Sequence, residues 1–235
     1  MVNEPVRKVD ALLFDKDGTL FDFHATWSVW AEDLIAALAE GCPARAASLA
    51  AAIGFDPGAR RFLPTSPVIA GTNREAAECV ARVIRDRSIA DLEEELARAS
   101  AEAPLTPPVP LGPLLDGLRG QGLVLGVVTN DSAFAAAAHL RAAGIAERFS
   151  FVAGFDSGHG AKPAPGALLA FARAEGLDPR RVAMVGDSTH DLIAGRAAGM
   201  IPLGVLTGPA GHDELSPHAD AVLPDIGHVP AWLSA

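Results

Sequence analysis

The sequence predicts an α/β fold, a parallel sheet with helices on both faces and a helical domain inserted after the first strand. Three observations carry this reading. Short apolar runs bounded by turn residues alternate with longer stretches of helical periodicity, the βαβ rhythm of a parallel sheet. Those runs are apolar at consecutive rather than alternate positions, as expected of strands covered on both faces. The rhythm then fails over residues 22–112, where helical patterns follow one another without a convincing strand.

Taken in order, "VDALLF" (9–14) is the first strand. The insert follows with helical patterns at "HATWSVWAEDLIAALAEG" (24–41), "REAAECVARVIRDR" (74–87) and "IADLEEELARASAEA" (89–103). "APLTPPVPLGP" (103–113) brings the chain back, its prolines favouring an extended connector over a helix. The remaining strands are "LVLGVVT" (123–129), "FSFVAG" (149–154), "RVAMVG" (181–186), "IPLGVL" (201–206) and "ADAVLP" (219–224). Helices between them are expected at "SAFAAAAHLRAAG" (132–144), "PAPGALLAFARAEG" (163–176) and "STHDLIAGRAAG" (188–199), each opening on a small or polar residue and closing on glycine. The expected division is a Rossmann-like core of residues 1–21 and 113–235 and a helical cap of residues 22–112.

At 235 residues and 49% hydrophobic, the chain is long enough for one domain plus a smaller insert. A formal charge of −10 disfavours nucleic acid and anionic membrane surfaces as partners. An anionic substrate would need a locally positive pocket. Cys42 and Cys79 lack metal-ligand spacing and read as two reduced thiols packed among alanines, in keeping with a cytoplasmic location. No stretch reads as a signal peptide or membrane span.

Open α/β sheets place ligands at the carboxyl ends of their strands, and the polar residues gather there. The first strand runs into Asp15-Lys16-Asp17-Gly18-Thr19, the second core strand into Thr129-Asn130-Asp131, and a later one into Gly186-Asp187-Ser188-Thr189-His190-Asp191. Lys162, one of only three lysines, sits in the Gly/Pro-framed loop "GAKPAP". Several carboxylates at one sheet edge repel one another unless a cation joins them. All-oxygen ligation suits Mg²⁺, which commonly bridges to a substrate phosphate. Lys162, the Thr129 hydroxyl and backbone amides supply donors for phosphoryl oxygens. Carboxylates, a lysine and a hydroxyl together describe a phosphoryl-transfer site. By strand alternation, the Lys16 side chain is expected on the opposite face from Asp15 and Asp17, structural or at the rim.

These segments resemble, in order, the four motifs of the haloacid dehalogenase superfamily in its phosphatase branch: "DKDGTL", "VVTN", the lysine of "AKPAPG" and "GDSTHD". The resemblance implies a nucleophilic Asp15 that becomes an aspartyl-phosphate, with Asp17 as acid and base. It implies phosphate-binding Thr129 and Lys162, with the Asn130 amide close to the phosphate. It also implies Mg²⁺ held by Asp15, the Asp17 backbone carbonyl and Asp187, with Asp191 as ligand or neighbour. Dehalogenases of the family lack the acid at the position of Asp17. Its phosphonatases need a cap lysine, and no lysine lies between Lys16 and Lys162. The insert resembles the family's mobile lid, suited to a small phosphorylated metabolite. Expected selectors within it are His24 and the helix start Thr72, Asn73 and Arg74, with phosphoglycolate the favoured substrate by overall likeness. Trp27 and Trp30 read as lid core. The alternatives are a sugar phosphomutase of the same superfamily and a phospho-accepting signalling or binding protein. A monomer or homodimer is expected.

Overall fold

The computed structural model describes residues 8–69 and 71–235. The chain runs through β1 (Ala11–Phe14), α1 (Phe23–Ala39), α2 (Pro43–Ile53), β2 (Phe55–Asp56), β3 (Arg61–Phe62), α3 (Asn73–Ala81), α4 (Ile89–Ala101) and α5 (Leu111–Gly120). It continues with β4 (Val124–Val128), α6 (Ala133–Ala142), β5 (Phe151–Ala153), α7 (Gly166–Ala174), β6 (Val182–Gly186), α8 (Thr189–Ala197), β7 (Ile201–Val205), α9 (His212–Leu215), β8 (Ala221–Leu223) and α10 (Val229–Ser234).

Six strands form one parallel sheet in the order β5-β4-β1-β6-β7-β8, so β1 lies between β4 and β6. Its residues divide between the two faces. Leu12 and Phe14 join one apolar cluster, with Leu125, Val127 and Val185, while Ala11 and Leu13 join the other, with Phe171, Val182 and Met184. Burial on both sides explains why the strands read as continuous apolar runs. In β4, a side chain at Gly126 would sit 2.7 Å from the Phe171 ring and 2.8 Å from Leu13, so the glycine lets α7 close onto the sheet.

All six expected strands are present, but helix α5 begins at Leu111 inside the stretch read as an extended connector, and the short helices α9 and α10 were not anticipated. The insert departs from the sequence reading in three places. A two-residue antiparallel pair, β2 with β3, interrupts the helices, too short to leave a period in the sequence. An additional helix, α2, opens on Pro43 and stops at Gly54, whose φ of 66° suits the residue after a helix. Helix α3 ends at Ala81, six residues early, as the backbone tightens into Val83 N to Val80 O and Arg82 N to Cys79 O bonds. Cys79 is buried, whereas Cys42 is exposed rather than packed.

Helices α1 to α4 and the β2–β3 pair share their own apolar cluster, including Trp30, Leu34, Phe62, Leu92 and Leu96. This layer stands over the carboxyl edge of the sheet, where α4 meets α6 and α3 meets the loop after β4. Among the described residues no helix is long and apolar enough to cross a membrane.

Candidate active site

Strand β1 delivers Asp15 to the sheet edge, where its carboxylate is buried. The loop before α7 brings Lys162 to meet it. Lys162 Nζ donates to Asp15 Oδ1 at 2.6 Å and to the Val128 carbonyl at 2.9 Å, and lies 2.6 Å from Asp191 Oδ1. Asp15, Asp187 and Asp191 each place a carboxylate oxygen within 4.8 Å of the others. Asp191 also serves the start of α8, its Oδ2 accepting from Ser188 N at 3.0 Å and Ser188 Oγ at 2.7 Å.

Two glycines make room for Asp187. A Cβ on Gly18 would fall 2.2 Å from Asp187 Oδ2, and one on Gly208 would fall 1.7 Å from it. Gly18 moreover has a φ of 80°, which L side chains rarely adopt. Thr19 Oγ1 reaches Asp187 Oδ1 at 3.4 Å, and Thr207 Oγ1 donates to the Gly18 carbonyl at 2.6 Å.

The electrostatics follow from burial. Desolvation pushes the Asp15 carboxyl up to about 7, against the pull of Lys162. Burial likewise raises the Asp187 carboxyl well above its ordinary range, with Asp15 and Asp191 adding repulsion. Burial alone would lower the Lys162 ammonium, but Asp15 and Asp191 outweigh it and hold the side chain protonated. One ammonium among three buried carboxylates leaves a deficit of positive charge in an all-oxygen setting. That donor set fits a hard divalent cation.

The Asp17 carboxylate lines the same cavity but is held by Lys16 rather than by Lys162. Lys16 Nζ lies 2.7 Å from Asp17 Oδ1 and 2.6 Å from Oδ2, with Asp131 Oδ2 at 3.1 Å and His139 Nδ1 at 2.9 Å. Lys16 is therefore fully buried between the sheet edge and α6, not at a rim. Alternation misplaces it because β1 ends at Phe14, and residue 16 already belongs to the turn whose carbonyl accepts from Leu20 N and Phe21 N. Lysine can only donate, so His139 Nδ1 accepts and its Nε2 proton faces the Ser100 carbonyl at 2.5 Å. Nothing in the sequence pattern around Asp131 or His139 announced this buried network.

The other expected residues separate into two groups. Thr129 is buried at the cavity floor, its Oγ1 accepting from Asp131 N at 3.1 Å. Asn130 lines the cavity, yet its side chain braces the Lys162 backbone, donating to Lys162 O at 2.9 Å and accepting from Lys162 N at 2.8 Å. Thr72 caps α3 in a reciprocal capping box with Glu75, and Asn73 Nδ2 donates to Asp131 Oδ1 at 3.2 Å; both line the cavity. Arg74 and His24 do not line it. Arg74 is exposed and pairs with Glu78 and Glu93, each at 3.2 Å, while His24 is exposed beside Phe23. Ser132 caps α6, its side chain accepting from Ala135 N. Above the acidic floor, the cavity wall is formed by Phe23, Trp27, Trp30, Phe62, Val68 and Ile69.

Comparison with known proteins agrees with this geometry. Residues 9–199 match the haloacid dehalogenase-like hydrolase family. A phosphoglycolate phosphatase of Neisseria meningitidis is 31% identical over 232 residues, covering 97% of this chain and 94% of its own. A hydrolase from Pseudomonas syringae superposes with a TM-score of 0.69 at 22% identity, covering 96% of this chain and 98% of its own. A β-phosphoglucomutase from Clostridium difficile shares the fold with a TM-score of 0.64 at 17% identity, over 94% and 93% of the two chains. With its sheet edge, buried acids and full-length relatives in agreement, the chain belongs to the haloacid dehalogenase-like hydrolases and is an enzyme of their phosphatase kind.

Proposed function

We propose that the protein is a Mg²⁺-dependent phosphatase that hydrolyses a small-molecule phosphate monoester through an aspartyl-phosphate on Asp15. The observation that carries this reading is the buried Asp15 carboxylate gripped by Lys162 at 2.6 Å beside two further buried aspartates. Asp15, Asp187 and Asp191, with the Asp17 carbonyl, would hold the cation. When bound, Mg²⁺ neutralises the buried carboxylates and the charge of the substrate's phosphoryl oxygens.

The residues of the chain divide the remaining work. Asp15 Oδ attacks phosphorus, and the phosphorus–oxygen bond to the leaving group breaks. Asp17 protonates the departing alkoxide, then takes a proton from the water that attacks the aspartyl-phosphate, so inorganic phosphate leaves and Asp15 is regenerated. Lys162 and Thr129 hold phosphoryl oxygens, and Asn130 keeps Lys162 in place. The α1–α4 layer acts as the cap that excludes water, over residues 22–112.

A mutase would have to grip a second phosphate across the cavity. Among the described residues lining it, Lys162 is the only lysine or arginine, which favours hydrolysis. The helical insert argues against a bare phospho-accepting signalling domain.

The test uses an activated aryl phosphate. Turnover should vanish in EDTA and return with Mg²⁺. Asp15→Asn should abolish both turnover and the covalent phosphate seen by intact mass. Asp17→Asn should accumulate that phosphate, its hydrolysis slowed roughly 10²–10⁴-fold by loss of the base. Label recovered on any residue other than Asp15 would overturn the mechanism.

A further inference from the structure

Among the described residues, the chamber wall facing Asp15 carries no lysine or arginine besides Lys162. Trp27 and Trp30 meet edge to face at 5.2 Å and 82°, and Phe23 meets Phe62 at 5.9 Å and 66°, forming an aromatic corner in the insert. Both tryptophan rings line the cavity, and the indole N–H of each is buried without a hydrogen-bond partner. A buried N–H left unpaired carries a desolvation penalty that a ligand's acceptor would relieve. Lys162 is committed to Asp15 and Asp191, Lys16 lies beneath in contact with Asp17 and Asp131, and Arg74 points away to Glu78 and Glu93. Five of the residues lining the floor are aspartates, Asp15, Asp17, Asp131, Asp187 and Asp191, and among the described lining residues Lys162 is the only lysine or arginine and His190 the only histidine, so a carboxylated leaving group has no second lysine or arginine to pair with.

Resting on the phosphatase reading above, we propose that the leaving group is an uncharged aromatic alcohol carrying a hydrogen-bond acceptor, its ring seated in the Trp27–Trp30 corner and its acceptor meeting an indole N–H. Edge-to-face contact suits a flat ring at this corner. A glycolate carboxylate, the group named for the relative above, meets no lysine or arginine besides Lys162 among the described residues of this chamber.

Four alkyl phosphates test the idea in the presence of Mg²⁺, all with alkoxide leaving groups: benzyl phosphate, 4-carbamoylbenzyl phosphate, 4-carboxybenzyl phosphate and phosphoglycolate. Acetyl phosphate, too small to reach the corner, reports on the phosphoryl chemistry alone. The two neutral benzyl compounds should exceed both carboxylates in kcat/KM by about tenfold or more, the scale of one charge left without a partner. Trp27→Phe and Trp30→Phe keep a ring and delete the donor. At least one of them should lower the carbamoyl-to-benzyl ratio by about fivefold, one hydrogen bond's worth, while the preference over phosphoglycolate persists. Phosphoglycolate or the carboxybenzyl compound equal to or better than the neutral pair, with acetyl phosphate turned over, would sink this inference and leave the phosphatase reading standing. An unchanged carbamoyl ratio in both variants would overturn the indole contact. No turnover of any compound, acetyl phosphate included, would bring down the phosphatase reading and this inference together.

Discussion

At the scale of single residues, Lys16 departs furthest from what its position in the sequence suggested. Strand alternation puts the Lys16 side chain on the opposite face from Asp15 and Asp17, structural or at the rim, yet it is the buried hub joining Asp17, Asp131 and His139, with the Trp27 ring 5.4 Å from its ammonium. Burial, followed by the Lys16 charge, depresses the His139 imidazole below its usual range, so the ring stays neutral and can accept from lysine. Lys16→Met should therefore cost about 3–5 kcal/mol in denaturant unfolding, because it leaves Asp131 buried without its cation. Adding Asp131→Asn should recover much of that stability, since the orphaned charge goes too. It should not recover turnover if Lys16 also orients Asp17, and a double variant with wild-type kcat would dismiss that orienting role. The motif acids and Lys162 were legible because their residue types are scarce or crowded at strand ends. Lys16 was not, because its direction is set by a turn and by partners more than a hundred residues away.

Among the elements, α3 shows how a helix start can be read from sequence while the direction of its side chains cannot. "GTNREAA" announces a cap, and Thr72 and Glu75 form the full capping box. Asn73 turns inward to Asp131, and Arg74, about 100° further around the helix, turns outward to Glu78 one turn on. No local signal distinguishes these two faces, since the insert's orientation over the sheet decides which is inner. Thr72→Ala should lower stability by about 1 kcal/mol through the lost cap. Arg74→Ala, breaking only exposed pairs, should shift it by no more than about 0.5 kcal/mol. It should also leave the ranking of phosphate substrates unaltered. A tenfold selective loss for carboxylated phosphates in Arg74→Ala would return that residue to the site.

For the whole molecule, the sheet was readable strand by strand because burial on both faces leaves uninterrupted apolar runs, whereas the aromatic corner was not, because it joins Trp27 and Trp30 of α1 to Phe62 of β3 over a floor drawn from four loops. The same assembly makes stability depend on pH and metal together. Folding raises Asp15 from an ordinary 3.8 to about 7 and raises Asp187 as well, so the metal-free folded chain binds more protons than the unfolded one. The sign follows: these groups destabilise the fold progressively as pH climbs from about 4 through 7, and acidification relieves them. A divalent cation acts in the opposite direction, since it binds the ionised carboxylates and competes with protons. Thermal unfolding in EDTA should therefore lose stability between pH 5 and pH 8 relative to the same protein in Mg²⁺. At a hundredfold excess over Kd the cation contributes about 2.7 kcal/mol, or roughly 5–10 °C in Tm for a chain of this size. That shift should be clearly smaller at pH 5 than at pH 8. Asp15→Asn, which removes one of the displaced protons and one ligand, should shrink both the pH dependence and the Mg²⁺ shift. Equal Mg²⁺ shifts at pH 5 and pH 8 would show that the cation does not bind at these carboxylates, whatever activity the enzyme displays.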